Sequence, residues 1–189
     1  MTELAFSCAC GHVKGRLDVP SRRAGNHVVC HCPDCRAAEI HLGQPDPAPN
    51  GVEIWQTTPD RVTIDAGADQ LALIQLSPKG LFRWHARCCG APLFNTLRSR
   101  RLPFVGIPAK RLSDTAPLGP ITTRAFMAKP GGGYEHDGFS RAGIKISSMM
   151  LGALVSGRWR DTPFFNAAGH PVVAPHVLTR DERRTAYGG

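Results

Sequence analysis

The chain has 189 residues, 42% of them hydrophobic, with 20 Gly, 16 Pro, 7 Cys and a formal net charge of +8. This length supports one domain, or one domain with an appendage, and the glycine and proline content excludes an architecture of long helices in favour of short elements and many turns. The basic residues are scattered, at Arg22-Arg23, 98–101, Lys110-Arg111, Arg158/Arg160 and Arg180/Arg183/Arg184, so no run forms a nucleic-acid arm and the charge reads as a solvated face that draws anions.

Residues 1–8 carry neither a basic leader nor an apolar segment, so no secretory signal is expected and a cytoplasmic location with reduced thiols follows. Alternating and β-branched runs predict strands at 4–7, 12–19, 27–30, 52–56, 61–65, 71–76, 81–85, 92–95 and 104–107. Turn signals separate them, at Pro20-Ser21, in the proline-rich stretch 43–51, at 66–69 and at 77–80. The fold class is therefore mainly β, built from short antiparallel strands. Residues 36–42, which follow Cys35 and end at Gly43, predict a short helix opened by the second cysteine cluster. Amides and the positive dipole end at that N-terminus would favour thiolates.

Composition shifts near Leu112, dividing the chain into a domain over 1–115 and an extension over 116–189 packed upon it. In the extension, Pro130-Gly131-Gly132-Gly133 reads as a flexible connector and residues about 143–156 as an apolar helix ending at Gly157. That helix is too short to span a bilayer, and burial or contact with another copy in a homo-oligomer is its expected use. Thr179-Arg180-Asp181-Glu182 matches a capping box and predicts a short polar helix in the tail.

All the cysteines fall in three clusters: Cys8-Ala9-Cys10-Gly11, Cys30-His31-Cys32-Pro33-Asp34-Cys35 and Cys88-Cys89-Gly90. Thiolates one or two residues apart on a turn can converge on one tetrahedral ion, and seven divides into a closed four-thiolate zinc and a three-thiolate zinc with an open fourth position. Cys8 and Cys10 with Cys88 and Cys89 would form the closed site, tying distant strands together; Cys30, Cys32 and Cys35 would form the open one. Adjacent side chains diverge, so Cys88 and Cys89 share an ion only across a sharp turn, and His85 with Cys88 offers a competing pair of ligands.

These clusters, as Cys8-Ala9-Cys10-Gly11-His12-Val13, Cys30-His31-Cys32-Pro33-Asp34-Cys35-Arg36 and Cys88-Cys89-Gly90-Ala91-Pro92-Leu93, resemble the glutathione-dependent formaldehyde-activating enzyme family, also called the CENP-V/GFA domain. The resemblance covers residues 5 to 110. It implies a small zinc fold, the β-tent, with a structural zinc on the outer clusters. It also implies a second zinc on Cys30, Cys32 and Cys35, where glutathione or its formaldehyde adduct would bind. The chain departs from the family where Ala86 occupies the expected first position of a Cys-x-x-Cys-Gly knuckle, and segments 54–59 and 76–85 mark a divergent branch.

Three thiolates make zinc a weak Lewis acid but a good holder of a fourth thiol, so the expected activity is that of a carbon–sulfur lyase on a thiol adduct. The rival is a non-catalytic zinc module binding protein or nucleic acid, and a zinc-dependent thiol or metal sensor is a third reading. Among flanking residues, Arg36 could pair with a substrate carboxylate, although an exposed salt bridge is the commoner outcome. His31 is expected at the surface, with an acid/base role as the alternative, and His41 and Asp34 read as structural. The other histidines read as solvent-facing or satisfied in the core. Trp55, Phe82, Trp84, Phe94 and Phe104 are expected in the core.

Overall fold

The computed structural model describes residues 2–188 and contains two β-sheets and three α-helices. The small sheet is antiparallel, with strands β1 (Thr2–Ser7), β2 (Lys14–Val19) and β5 (Val62–Ala66) in the order β1-β2-β5. Along β1 and β2, Leu4, Phe6, Leu17 and Val19 are buried while their neighbours face solvent, which is the period-two pattern of a sheet with one wet face.

The large sheet carries β3 (Asn26–Cys30), β4 (Val52–Thr57), β6 (Leu71–Gln75), β7 (Phe82–Ala86), β8 (Pro92–Thr96) and β9 (Val105–Pro108). It is completed by β10 (Thr123–Ala128), β11 (Tyr134–Asp137) and β12 (His176–Val177), in the order β11-β10-β3-β4-β9-β8-β7-β6-β12. Pairing is antiparallel except for β10 on β3 and β12 on β6. Those two parallel pairs are where the C-terminal part of the chain joins the sheet built by the first hundred residues.

The main core lies between the sheets. Phe6, Leu17 and Val62 of the small sheet meet Trp55, Trp84, Leu93, Phe94 and Ile107 of the large one. Phe164 enters this core from the extension and stacks 5.0 Å from Phe94 and 5.2 Å from Trp84, so the extension shares the core of the first part. Buried Trp84 still satisfies its indole, donating from Nε1 to Thr96 Oγ1 at 3.0 Å. Phe104 departs from expectation: it is half-buried and lines a cavity.

Helix α1 (Pro33–His41) starts inside the second cysteine cluster, three residues earlier than the composition of 36–42 suggests, because Pro33 occupies its first turn and Cys32 caps it. Helix α2 (Phe139–Val155) begins four residues before the expected 143, and it is not buried within the chain: Ile144, Leu151 and Val155 are 73%, 61% and 83% exposed, and only Ala142 and Ala153 are buried. Residues 130–133 are also not a connector. They form the tight turn between β10 and β11, closed by the Lys129 N–H to the Gly133 carbonyl at 3.2 Å and the Gly132 N–H to the Lys129 carbonyl at 3.1 Å. The glycines take positive φ there, which supplies the turn.

Helix α3 (Arg180–Ala186) has the capping box: Thr179 Oγ1 accepts from the Glu182 N–H at 3.2 Å and the Glu182 carboxylate accepts from the Thr179 N–H at 2.7 Å. Ala186 and Leu178 pack on Ala37 and Ala38, fastening α3 to α1. Among the described residues no helix is long and apolar enough to cross a membrane.

Candidate metal centres and the cavity between the sheet and the second helix

Cys8 and Cys10 lie in the turn between β1 and β2, where Gly11 takes φ 77° and the Cys8 N–H returns to the Val13 carbonyl at 2.9 Å. Cys88 and Cys89 lie in the turn between β7 and β8, where Gly90 takes φ 67° and the Gly90 N–H bonds the Ala86 carbonyl at 2.8 Å. Each turn hangs from a different sheet, and the fold brings them together. The four sulfurs lie within 4.8 Å of one another, with Cys8 to Cys10 at 3.6 Å, Cys8 to Cys88 at 3.9 Å, Cys10 to Cys88 at 3.2 Å and Cys88 to Cys89 at 3.9 Å. Metal–sulfur bonds of about 2.3 Å at tetrahedral angles require sulfurs roughly 3.8 Å apart. The group could therefore hold a metal ion with little movement.

The sharp turn at Ala86–Ala91 allows both adjacent cysteines to join this group, and His85 stands outside it. His85 Nδ1 is buried without a hydrogen-bond partner among the described residues, and burial pushes the ring's pKa down. Burial opposes a Cys8 thiolate, but the Val13 N–H, donating to Cys8 Sγ at 3.3 Å, and the neighbouring thiols outweigh it and bring its pKa to about 6. Such thiolates are prepared for a cation.

The second group is Cys30 at the end of β3, Cys32 at the cap of α1 and Cys35 in its first turn, again with all sulfurs within 4.8 Å. Cys32 Sγ accepts from the Cys35 N–H at 3.3 Å, so one sulfur of the set already serves as a helix cap. Hydrogen bonds from Cys30 and Cys32 hold the buried Cys35 well below the ordinary thiol range, with the Arg83 guanidinium adding to the effect. Cys30 is pushed up by its bonds to Cys32 and Cys35 and by burial. This group could also hold a metal ion, and it supplies three donors rather than four.

A cavity of about 330 Å³ opens beside these three cysteines, between the large sheet and α2. Its walls are mostly apolar, with Ile54, Phe104, Phe126, Phe139 and Ile146 prominent, and its polar groups include Asp34, Gln56, Arg83 and Asn95. Phe126 is a non-glycine residue at φ 60°, a conformation that costs about 1–3 kcal/mol. Its N–H donates to His136 Nδ1 at 3.0 Å, and its ring meets His136 at 4.9 Å and Phe139 at 5.8 Å edge-on. Phe126 and Phe139 of this aromatic cluster thus wall the cavity beside the cysteine group.

Arg36 lines a second cavity of about 240 Å³ with Cys30, His31 and Cys32, and its guanidinium is taken up by a bidentate pair with Asp46, with Nη2 to Oδ2 at 2.6 Å. Asp34 accepts from Tyr187 Oη at 2.6 Å rather than from loop amides. His31 is only partly exposed, and its Nε2 is buried without a partner among the described residues, contrary to the surface role expected for it. His41 is half-buried, and His27 is buried with Nδ1 2.7 Å from the Gly119 carbonyl and Nε2 2.7 Å from Glu53. Arg83, Phe126 and the extension residues of the cavity were not singled out by sequence reasoning. Arg83 carried one available signal, a charge inside an otherwise apolar predicted strand.

The basic residues are partly committed to structure. Trp159 is flanked by Arg100 at 5.1 Å, Arg101 at 5.9 Å and Arg160 at 4.5 Å, and Arg100 donates to the carbonyls of Arg160, Asn166 and Ala167.

A family model described as a family of unknown function, DUF6151, matches residues 2–175. None of the curated proteins matches the chain. Among solved structures, a Rhodobacter sphaeroides protein determined as a structural-genomics target is similar at 18% identity, covering 62% of this chain and 96% of its own, with a TM-score of 0.44.

Proposed function

Because the chain belongs to DUF6151, a family of unknown function, we propose its activity from its own cysteine groups: a zinc-dependent enzyme of the carbon–sulfur lyase type, acting on a thiol adduct at Cys30, Cys32 and Cys35. The observation that carries this reading is the asymmetry between the two groups. Four sulfurs at Cys8, Cys10, Cys88 and Cys89 could complete a tetrahedral shell, whereas three sulfurs beside a 330 Å³ cavity would leave a position for a ligand.

All-sulfur donor sets favour zinc among the common divalent ions, although copper(I) and iron–sulfur clusters also suit them. When bound at the three-cysteine group, zinc would hold an incoming thiol as its thiolate. The protein's part is then to position the reactants and exclude water. Ile54, Phe104 and Phe126 form the dry wall. For addition to a small aldehyde such as formaldehyde, the sulfur lone pair forms the C–S bond, the C=O π pair moves to oxygen, and that oxygen takes a proton. Lyase turnover is the reverse, with the C–S bond broken and the pair returned to sulfur. The resemblance of the cysteine clusters to the formaldehyde-activating family supports this direction of chemistry.

Metal analysis with X-ray absorption tests the proposal. Two zinc ions per chain are expected, one with four sulfur ligands and one with three sulfurs and an exchangeable fourth ligand. One zinc, or two closed sites, would reject catalysis at the second group in favour of a non-catalytic module.

A further inference from the structure

We propose that the cavity takes an apolar mercapto acid, with the carboxylate of the ligand held by Arg83; the inference rests on the thiol-binding reading above and narrows its substrate class. Arg83 lies on β7 and is only 5% exposed. Its guanidinium has five N–H donors. Among the described residues its one hydrogen bond is long, Nη1 to Asn95 Oδ1 at 3.4 Å. No carboxylate of the described residues forms an ion pair with it. A guanidinium with donors to spare in a cavity suits a planar bidentate anion.

Arg83 lines the same cavity as the three cysteines. Because Arg83 and the three cysteines line one cavity of about 330 Å³, a carboxylate on the guanidinium and a sulfur at the cysteine group can belong to one small ligand. A short mercapto acid carries both groups. The remainder of the ligand must then lie against Ile54, Phe104, Phe126 and Ile146, which requires an apolar substituent. Space for it is kept by Gly106, where an added Cβ would come 3.0 Å from Ile54 Cγ2 and 3.7 Å from the Phe104 ring. A polyionic tripeptide such as glutathione would have to bury further charges against these aromatic and aliphatic walls, which strongly disfavours it. The net charge of +8 helps to draw an anion toward the chain.

The test is calorimetric titration of the purified, metal-containing full chain with 2-mercapto-3-phenylpropionate, its carboxamide, 2-phenylethanethiol, glutathione and sulfur-free 3-phenylpropionate. The mercapto acid should bind about tenfold or more tighter than its amide and than glutathione, as expected for a charge-assisted hydrogen-bonded pair. Arg83→Gln should erase the preference for acid over amide, read as the ratio of the two affinities within the same variant, so that any general loss of thiol affinity cancels. Arg83→Lys, which keeps the charge, should retain part of the preference and covers the case in which the glutamine variant fails to fold. If Arg83 only offsets the charge of the thiolates, wild-type protein will bind acid and amide equally and the inference is overturned; persistence of the preference in Arg83→Gln overturns it too. Thiols that bind without distinction leave the thiol reading standing and reject this inference alone. Should sulfur-free 3-phenylpropionate bind as tightly as the mercapto acid, or should no thiol bind, the thiol reading falls and this assignment with it.

Discussion

Tyr187 donates from Oη to Asp34 Oδ1 at 2.6 Å, so the last helix is tied to the turn that carries Cys32 and Cys35. Tyr187 lies beyond the residues matched by the family model, which end at 175, while Asp34 lies within them. Tyr187→Phe removes one hydrogen bond to a charged acceptor and should lower stability by about 1 kcal/mol at this partly exposed position. Thermal denaturation measures it, and an unchanged midpoint would show that the bond contributes nothing in solution.

The same helix should be docked over a defined pH window. Hydrogen bonding by the Thr179 N–H and by His176 brings the Glu182 pKa down to about 2 from 4.5, so the stability it contributes is present above 4.5 and lost as pH falls toward 2. At the alkaline end, burial and the bond to Asp34 push the Tyr187 pKa up to about 12 from 10.0, so its contribution is present below 10 and lost as pH rises toward 12. Amide hydrogen exchange in residues 182–186, corrected for intrinsic rates, should show greatest protection between those limits. Uniform protection down to pH 2 would contradict the acid arm.

Loss of the four-sulfur group should cost the fold, and loss of the three-sulfur group should not. The first joins turns from both sheets, and structural zinc contributes an apparent 10 to 16 kcal/mol, roughly comparable to the total stability of a domain. Cys10→Ala is expected to unfold or aggregate, while Cys32→Ala stays folded and loses thiol binding. Circular dichroism together with zinc content per chain separates the two. Equal unfolding of both variants would make the second group structural.

Gly143 borders the cavity from α2, and a Cβ added there meets nothing within 4 Å. Gly143→Leu should therefore place a side chain in the entrance without strain and raise helix stability by roughly 0.5–1 kcal/mol. Thiol affinity should fall about tenfold or more, equivalent to roughly 1.4 kcal/mol or more of binding energy. Unchanged affinity would put the entrance elsewhere.

Arg36 supplies a contrasting control. Its pair with Asp46 is exposed, and such pairs contribute about 0–1 kcal/mol. Arg36→Ala is expected to alter stability by less than about 1 kcal/mol and thiol affinity by less than threefold, because its guanidinium is directed at Asp46. A large loss of thiol binding would return Arg36 to the ligand site.

Most of the strands were legible because burial on one face imposes an alternation that short segments such as β1 and β2 display directly. The cysteine groups were legible for a related reason: ligands on one tight turn must be close in sequence. Strands β10, β11 and β12 were not, since 123–128 shows no apolar alternation and 134–137 is exposed throughout, and β10 gains its strand character from pairing with β3. The apolar run of α2 marked a helix but not its packing, since hydrophobicity along a helix does not specify what covers it, and within this chain Ile144 and Val155 are exposed.

Local order along the chain therefore specified the mainly β architecture and the division of the sulfurs into sets, because turns and pleats act over a few residues. Pairing Cys8 and Cys10 with Cys88 and Cys89, and gathering Arg83, Phe126 and Ile146 around Cys35, depended on where distant strands and α2 came to rest. Those placements follow from burial of a shared core that includes Phe94, Trp84 and Phe164, and core packing depends on the whole set of contacts rather than on any one segment.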